Sequence, residues 1–416
     1  MRLSKDLNPY FLFVGFTILY YWGSFSKVPL GDCIGFIADT EKGNFILSTS
    51  VYAHFLFSNT LILLHKLLPF VESIEIGRWF TLILGASTVT ILYKIILKIT
   101  SENWPSFLGA ILMGLSFSFW RNSEIVEIYT FNAFLISLFI LFAVKFIYNK
   151  NDKHLLFAAF ILGISLWNHI QNILMIPGLF YLFYLSKKRT VTIQSITLFS
   201  LLFLGLFFIP ILKGEELSIV FKSNHSDHSV NFSHILTDLS KSIFYLIYNF
   251  WHFLFLGLWG FYLLLKRNLI LALFLIISAL PVYGFATLFS VSDNYVFFIP
   301  FNLIFATFIS IGIKEFYQKG YKKSLLTVFL IPAFYWLAFK VILKTEVGSN
   351  FNQEKKYKGG LAYYMLPWLK NNVGILELTL DKTKTSESID WMKKSANDYI
   401  KIKKSKGYTI EELKEQ

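Results

Sequence analysis

The sequence is poor in cysteine and in charged residues. Of its 416 residues one is cysteine, Cys33, and 16% are charged. A single cysteine excludes an internal disulfide bond and a cysteine-rich zinc site. Because soluble domains carry about a quarter charged residues, the low charge also argues against a soluble enzyme. No small-residue cleavage site follows the first apolar stretch, so we expect that stretch to remain as a membrane span.

What the sequence has instead is long apolar runs. Hydrophobic residues make up 55% of the chain and aromatic residues 19%. Many runs approach the ~20 residues that a helix needs to cross a bilayer. We therefore predict an all-α, polytopic integral membrane protein surrounded by membrane lipids. The predicted spans are 10–25, 77–98, 104–120, 125–148, 155–167, 171–186, 192–212, 242–265, 269–289, 294–313 and 325–342.

The apolar segment 51–68 is expected to lie along the membrane surface. It is interrupted by His54, Asn59, His65 and Lys66, and such polar groups are costly at mid-bilayer. If this segment does not cross, every basic cluster from Arg2 to Lys323 falls on the cytoplasmic side, as the positive-inside rule requires. The net charge of +13 then reflects membrane orientation, and nucleic acid is not an expected partner.

This orientation predicts about 11 transmembrane helices, one interfacial helix and an active site on the outer face. Most unusual polar residues lie in outward loops: 27–50, 120–129, 167–172, 213–241 and 290–294. We assign 1–343 to the transmembrane domain and 344–416 to a small polar extracytoplasmic tail. That tail is predicted to be helical over 386–400 and 410–416, with Ser386 as a helix cap and Gly407 as a stop.

The first outward loop carries the strongest candidate for catalysis. It reads KVPLGDCIGFIADTEKGNFILSTS, with Asp32 beside the apolar Ile34 and Phe36. A carboxyl group in such surroundings is expected to have a raised pKa, which suits a general base that accepts a hydroxyl proton. The alternative is an aspartate that closes a turn after Pro29 and Gly31.

Two glutamates form a second candidate site. Glu124 and Glu127 are three residues apart, which predicts one face of a helix that begins at the outer boundary. They are candidates for binding the acceptor or the sugar. The alternative is a boundary ion pair, in which Arg121 pairs with Glu124.

Further candidates for substrate binding lie at other outward turns. Asn168 and His169 interrupt an apolar stretch, and His169 is suited to a phosphate oxygen or a sugar hydroxyl; a buried polar pair between helices is the alternative. Arg78, where a span begins, suits bidentate phosphate binding or an interfacial anchor. Asp293 is a candidate ligand or a simple helix cap.

A zinc site in the loop 213–241 is not favoured. The candidate ligands in this loop are His225, Asp227, His228 and His234, and their spacing is irregular. We expect no metal and no cofactor.

Two segments resemble one protein family. SFSFWRNSEIVEIYTFNAFLISLFIL resembles a family signature "FW…E-V-Y-T-L-N" through Trp120, Glu127, Tyr129, Thr130 and Asn132. GISLWNHIQNILMIPGLFY resembles its "G-L-S-L-x-N-H" signature through Gly163, Ser165, Leu166, Asn168 and His169. The family is the multispanning one that includes animal protein O-mannosyltransferases acting on plexin-type receptors. Arg78 resembles the arginine opening the family's next span, and DNYVFFIP faintly resembles a late segment.

The resemblance extends over about 31–300, with a family-like module at about 1–190. It implies the architecture of the GT-C glycosyltransferases, a polyprenyl- or dolichyl-phosphate sugar donor, an outward active site and inversion at the anomeric carbon. The first loop departs from the family's approximate Asp-Ser-Gly-Glu-Phe motif. Residues 32–36 keep the aspartate and the phenylalanine and lose the glutamate.

The resulting hypothesis is a membrane hexosyltransferase, with mannose one candidate sugar. Asp32 is the expected base, Arg78 and His169 the expected phosphate ligands, and a protein, glycan or lipid hydroxyl the acceptor. A multi-pass protein of the bacterial inner membrane is the expected setting. Two alternatives remain open: a transporter or flippase for a lipid-linked sugar, and a non-catalytic relative that binds a glycolipid.

Overall fold

The structure is a computed structural model that describes residues 8–221, 234–289, 291 and 293–416. Its membrane-region α-helices are α1 (Asn8–Gly23), α2 (Cys33–Lys42), α3 (Phe55–Leu67), α4 (Ser73–Thr100), α5 (Asn103–Gly114), α6 (Phe117–Ser123), α7 (Ile128–Asn149), α8 (Asp152–Ser165), α9 (Ile176–Leu185), α10 (Arg189–Gly205), α11 (Phe208–Lys213), α12 (Ile235–Phe250), α13 (Leu254–Arg267), α14 (Leu269–Leu288), α15 (Ile299–Gln318) and α16 (Ile331–Leu343). The C-terminal α-helices are α17 (Glu346–Glu354), α18 (Gly360–Met365), α19 (Ile375–Leu380), α20 (Asp390–Ser405) and α21 (Ile410–Glu415). Short 3₁₀ helices occupy Ile170–Met175, Leu217–Val220, Trp251–Phe253, Asn294–Phe298, Ser324–Leu330 and Lys356–Lys358.

The prediction of an all-helical polytopic protein is confirmed. Among the described residues, seven segments are long and apolar enough to cross a membrane: Ser73–Thr100, Ile128–Asn149, Arg189–Lys213, Ile235–Arg267, Leu269–Leu288, Asn294–Gln318 and Ser324–Leu343. Helices also occupy the other predicted spans, but they are shorter or divided. The segment predicted to lie along the membrane surface contains α3, with 13 residues. The total of 11 spans therefore stays a prediction.

The helices near the centre of the bundle are α7 and α15. In the segment Asn294–Gln318, which contains α15, 89% of the most apolar stretch is buried inside the protein. The corresponding share in Arg189–Lys213 is 22%, so most of that segment is left to face lipid. Two glycines bring α13 and α15 into backbone contact. A Cβ atom at Gly260 would lie 1.9 Å from the carbonyl oxygen of Phe308, and one at Gly312 would lie 2.2 Å from that of Leu256. Small residues allow this close approach between membrane helices.

One end of the bundle collects basic residues from distant parts of the chain. The Lys314 ammonium donates a hydrogen bond of 2.8 Å to the carbonyl oxygen of Thr100, and Arg267 pairs with Glu315. These contacts bring together segments whose basic clusters were predicted to share one side. The opposite end holds Asp32, and we call it the Asp32 end.

The C-terminal helices α17–α21 pack at the Asp32 end. Their apolar residues share a buried cluster with the first loop and with α2: Val28, Leu30, Cys33, Ile34, Ile37, Leu369, Ile375, Leu376, Tyr399 and Ile400. Polar bonds surround this cluster, among them the pair of Glu41 with Lys406 at 2.6 Å. Residues 344–416 thus form a helical layer over the first loop.

The predicted helix 386–400 was wrong in its start. The structure begins α20 at Asp390, so Ser386 is not its cap; the Ser386 hydroxyl instead faces the carbonyl oxygen of Glu354 at 3.5 Å. Helix α20 ends at Ser405, and Gly407 follows in a left-handed conformation, with a φ of 95°. The last predicted helix matches α21, whose first turn Thr409 and Glu412 close with a capping box.

Candidate functional site

Asp32 lies at the start of α2, directly after a glycine in an unusual conformation. Gly31 has a φ of 138°, which L-residues rarely adopt. Asp32 occupies the N-cap position, yet its side chain makes no capping hydrogen bond, so the turn-closing alternative does not describe it. The residue is exposed although protein surrounds its carboxyl group. Burial, and then the charge of Asp293, raise the pKa of Asp32 to about 6.

Two more carboxyl groups lie close to Asp32. Asp293 comes just before the helix Asn294–Phe298, and Glu127 comes just before α7. Glu127 is 7% exposed, and its carboxylate faces the backbone N–H groups of Asp32 and Cys33. Burial, together with the charges of Asp32 and Asp293, raises the pKa of Glu127 well above its usual value. Three carboxyl groups thus share one site, where burial and their mutual repulsion disfavour the ionised forms.

The sequence spacing predicted that the two glutamates lie on one helix face, and this prediction is wrong. Helix α6 ends at Ser123 and α7 begins at Ile128, so Glu124 and Glu127 lie in the turn between them. The cause is tertiary packing of Val126: a Cβ atom at Gly77 would lie 2.8 Å from the Val126 methyl Cγ1. Inserting Val126 against α4 breaks the helix and sends the two carboxylates in different directions.

The Glu124 carboxylate is occupied by hydrogen bonds within the protein. It accepts hydrogen bonds from the indole N–H of Trp120 and from the backbone N–H of Leu369, the latter at 3.1 Å. The suggested ion pair between Arg121 and Glu124 does not form. Arg121 instead donates to the carbonyl oxygen of Leu366 at 3.1 Å and lies 4.3 Å from the ring centre of Tyr363.

Arg78 is already engaged. It pairs with Glu75 at 2.7 Å, donates to the carbonyl oxygen of Phe25 at 3.0 Å and lies 4.4 Å from the Phe25 ring centre. Its Nε is buried and has no hydrogen-bond partner in the described part of the chain. Arg78 thus lies beside the first loop, with one N–H group left to offer.

His169 is buried and packs against the ring of Tyr129. Its Nδ1 accepts a hydrogen bond from the backbone N–H of Gln171 at 3.2 Å, and burial lowers its pKa to about 3. The ring is therefore neutral with its proton on Nε2, which makes Nε2 a hydrogen-bond donor. Its ring centre lies 5.9 Å from that of Tyr129, and Tyr129 lies within electrostatic reach of Asp32, Glu127 and Asp293.

Asn168 is fully buried with unused polar atoms. Neither its Oδ1 nor its Nδ2 has a partner among the described residues. The side chain borders a cavity of about 20 Å³ between residues 49–55, the 166–170 turn, Leu206 and Val220. Because this volume suits about one water molecule, the arrangement favours a structural role for Asn168.

The residue that sequence reasoning missed is His54. Its ring centre lies 5.7 Å from that of His169 and 5.9 Å from that of Phe36 on α2. Burial lowers its pKa to about 4, and its Nδ1 lies 3.3 Å from the carbonyl oxygen of Asn168. Its φ of 42° is a strained conformation for a non-glycine residue. In the sequence, His54 was visible only as a polar residue in a predicted interfacial helix.

The zinc hypothesis falls largely on residues outside the described ranges. His225, Asp227 and His228 lie there, and His234 precedes α12. Within the ranges that the structure describes, no group of three or more His, Cys, Asp or Glu side chains is arranged to hold a metal ion.

The architecture is similar to that of solved membrane-protein structures. The chain superposes on the crystal structure of ArnT from Cupriavidus metallidurans bound to undecaprenyl phosphate, with a TM-score of 0.60, 11% identity, and coverage of 97% of this chain and 76% of that one. The apo state of the same protein gives a TM-score of 0.60 and 11% identity, with coverage of 99% and 77%. The fold is GT-C-like. No curated protein matches the chain by sequence.

A family model also matches part of this GT-C-like chain. Residues 47–192 match the protein O-mannosyl-transferase TMEM260 N-terminal domain. The expected resemblance is confirmed over this segment, which contains Arg78, Glu124, Glu127, Asn168 and His169. Asp32 and Asp293 lie outside it, so their roles rest on the geometry of the Asp32 end.

Proposed function

We propose that this protein is a membrane glycosyltransferase that moves a sugar from a polyprenyl-phosphate donor to an acceptor hydroxyl at the Asp32 end. The observation that carries this proposal is the position of the Asp32 carboxyl group. It belongs to an exposed residue, lies beside Glu127 and Asp293, and has a pKa raised to about 6. The GT-C-like fold and the family match over 47–192 support the same class of reaction.

The proposed reaction is a single inverting displacement. The Asp32 carboxylate accepts the proton of the acceptor hydroxyl as that oxygen forms a bond to the anomeric carbon of the sugar. The bond from the anomeric carbon to the phosphate oxygen breaks, and the polyprenyl phosphate leaves with the electron pair. This chemistry needs a base with a pKa below the working pH and close to it, which describes Asp32.

His169 and Arg78 are the proposed ligands of the donor. The Nε2–H of His169 suits a phosphate oxygen or a sugar hydroxyl. Arg78 brings a positive charge to the first loop, but its bond to Glu75 must open before the guanidinium can bind a phosphate in bidentate fashion. Glu127 acts mainly through Asp32, and Asp293 keeps the proposed role of a sugar or acceptor ligand.

The proposed setting follows from charge. The basic clusters between the apolar segments gather at the end of the bundle opposite Asp32, and such clusters favour the cytoplasmic side. The lysine-rich residues 344–416 lie at the Asp32 end, and a longer segment of this kind translocates largely regardless of its charge. The Asp32 end would then face the outside of a bacterial inner membrane, where a protein, glycan or lipid would supply the acceptor hydroxyl.

The test is sugar transfer by the purified protein from a panel of radiolabelled polyprenyl-phosphate sugars. We expect one panel member to be consumed, with release of polyprenyl phosphate and a product of inverted anomeric configuration. Movement of intact donor across a vesicle membrane without cleavage would instead identify a flippase. Donor binding without cleavage or movement would identify a non-catalytic relative, and either result would overturn the proposal.

A further inference from the structure

We infer that the C-terminal helices hold the first loop in its working position, with Tyr363 as the positioning residue nearest to Asp32. The inference rests on the proposed function, since it assumes that Asp32 acts on the substrate. Its structural basis is a set of bonds between residues 23–30, which connect α1 to α2, and residues 363–377.

The bonds begin where α1 ends. The carbonyl oxygen of Gly23 accepts a hydrogen bond from the backbone N–H of Leu369 at 2.8 Å. Asn372 then acts as a bracket: its Oδ1 accepts from the backbone N–H groups of Ser26 and Lys27 at 2.9 and 3.1 Å. Its Nδ2 donates to the carbonyl oxygen of Lys27 at 2.7 Å. A single side chain therefore fixes three consecutive peptide groups.

The next residues are held through their backbone. The Val28 carbonyl oxygen accepts from the N–H of Ile375 at 2.9 Å, and the Val28 N–H donates to the carbonyl oxygen of Gln416 at 2.6 Å. An ion pair of 2.8 Å between Lys27 and Glu377 lies alongside. Most of residues 23–30 are buried. Their backbone polar groups therefore need protein partners, and residues 369–377 and Gln416 supply them.

Among these bonds from the C-terminal helices, Tyr363 makes the one closest to Asp32. Its hydroxyl donates to the carbonyl oxygen of Leu30 at 2.9 Å, two residues before Asp32. Its ring lies against the buried guanidinium of Arg121, 4.3 Å away. Through Arg121, which comes from α6, the hydroxyl that holds Leu30 is fixed to the transmembrane bundle.

Gly31 explains why this bond matters. It lies between Leu30 and Asp32 and adopts a φ of 138°, so it is a backbone joint with wide conformational freedom. Glu127 meets the N–H groups of α2 on one side of the joint, and Tyr363 holds Leu30 on the other. Loss of the Tyr363 bond frees one side of the joint, and the Asp32 carboxyl group then samples positions away from the acceptor hydroxyl.

The test compares Tyr363→Phe with Tyr364→Phe in the full chain. Tyr363→Phe keeps the ring against Arg121 and removes the hydroxyl. Tyr364, the neighbouring residue, packs its ring against Phe351 and serves as the matched control. Three quantities are measured: kcat and donor KM for sugar transfer, the pH dependence of kcat/KM, and backbone hydrogen exchange over residues 24–34.

For Tyr363→Phe we expect kcat to fall by roughly five- to tenfold, as loss of one positioning hydrogen bond implies, with donor KM unchanged within twofold. The acidic limb of the pH profile should move to lower pH, because a less enclosed Asp32 returns toward its ordinary pKa. Exchange over 24–34 should quicken. Tyr364→Phe should match wild type in all three.

A wild-type kcat and an unshifted pH limb for Tyr363→Phe would overturn the inference, as would equal losses in both variants. The exchange measurement separates this inference from the proposed function. If the wild type transfers no sugar, faster exchange in Tyr363→Phe alone still establishes the hold on the first loop. Unchanged exchange refutes that hold whatever the activity.

Discussion

At the scale of single residues, the Asp32 carboxyl group owes its properties to groups far away in the sequence. The apolar neighbours of Asp32 were enough to predict a raised pKa, and burial is indeed its largest cause. The contribution of Asp293 was not predictable, because 261 positions separate the two residues and no local pattern reports their approach. His54 was missed for the same reason, since only the fold brings it to His169.

The raised pKa of Asp32 predicts how transfer depends on pH. A base must be deprotonated, and a pKa of about 6 lies above the usual value for aspartate, so the active form is lost as pH falls through about 6. We expect kcat/KM to be level above pH 7 and to fall about tenfold per pH unit below pH 6. Initial rates from pH 4.5 to 8.5 measure this limb. A rate that stays level down to pH 4.5 would rule out Asp32 as a base with this pKa.

At the scale of elements, α2 is a short helix held from both ends. Its first turn faces Glu127, and its last turn carries Glu41, which is buried with Lys403 against α20. Burial alone would raise the pKa of Glu41, but hydrogen bonds from Lys406 and Ser73 and the charge of Lys403 hold it below its usual value. The sequence predicted a polar loop here and a polar tail at 344–416, but not the contact between them. Contacts between charged residues that are distant in the sequence leave no periodic signal.

Removing the Glu41 carboxylate should loosen the C-terminal layer. Glu41→Ala leaves the buried Lys403 ammonium, 3% exposed in its side chain, with Glu72 as its remaining partner at 3.6 Å. Breaking a buried pair in this way costs about 3 kcal/mol, which is roughly a hundredfold in local opening. Hydrogen exchange over α20 measures the change.

The control for Glu41→Ala is Asp398→Ala. Asp398 pairs with Lys42 across the same α2–α20 contact at 3.1 Å, but its side chain is 47% exposed. Exposed pairs contribute about 0–1 kcal/mol, so this variant should exchange nearly as the wild type does. Equal exchange in both variants would show that burial of Glu41 does not secure the layer.

At the scale of the whole molecule, the site is assembled from parts that span most of the chain. The first loop, the α6–α7 turn, the 168–169 turn, residue 293 and the C-terminal helices meet at one end of a GT-C-like bundle. Apolar run lengths predicted the helical class and the approximate bounds of most of the long helices. They did not predict that Val126 breaks a helix or that residues 363–377 bind the first loop, since both depend on tertiary contacts.

The most direct test of the account compares Asp32→Asn with Asp39→Asn. Both substitutions remove one carboxylate from the same loop and helix, but Asp39 pairs with Lys42 and has no proposed part in transfer. Sugar transfer and donor binding are measured for each purified protein. We predict that Asp32→Asn binds donor as the wild type does and transfers at least a hundredfold more slowly, in line with the ~10²–10⁴-fold contribution of a general base, while Asp39→Asn keeps wild-type rates. Transfer by Asp32→Asn at the wild-type rate would contradict the central claim that Asp32 is the base.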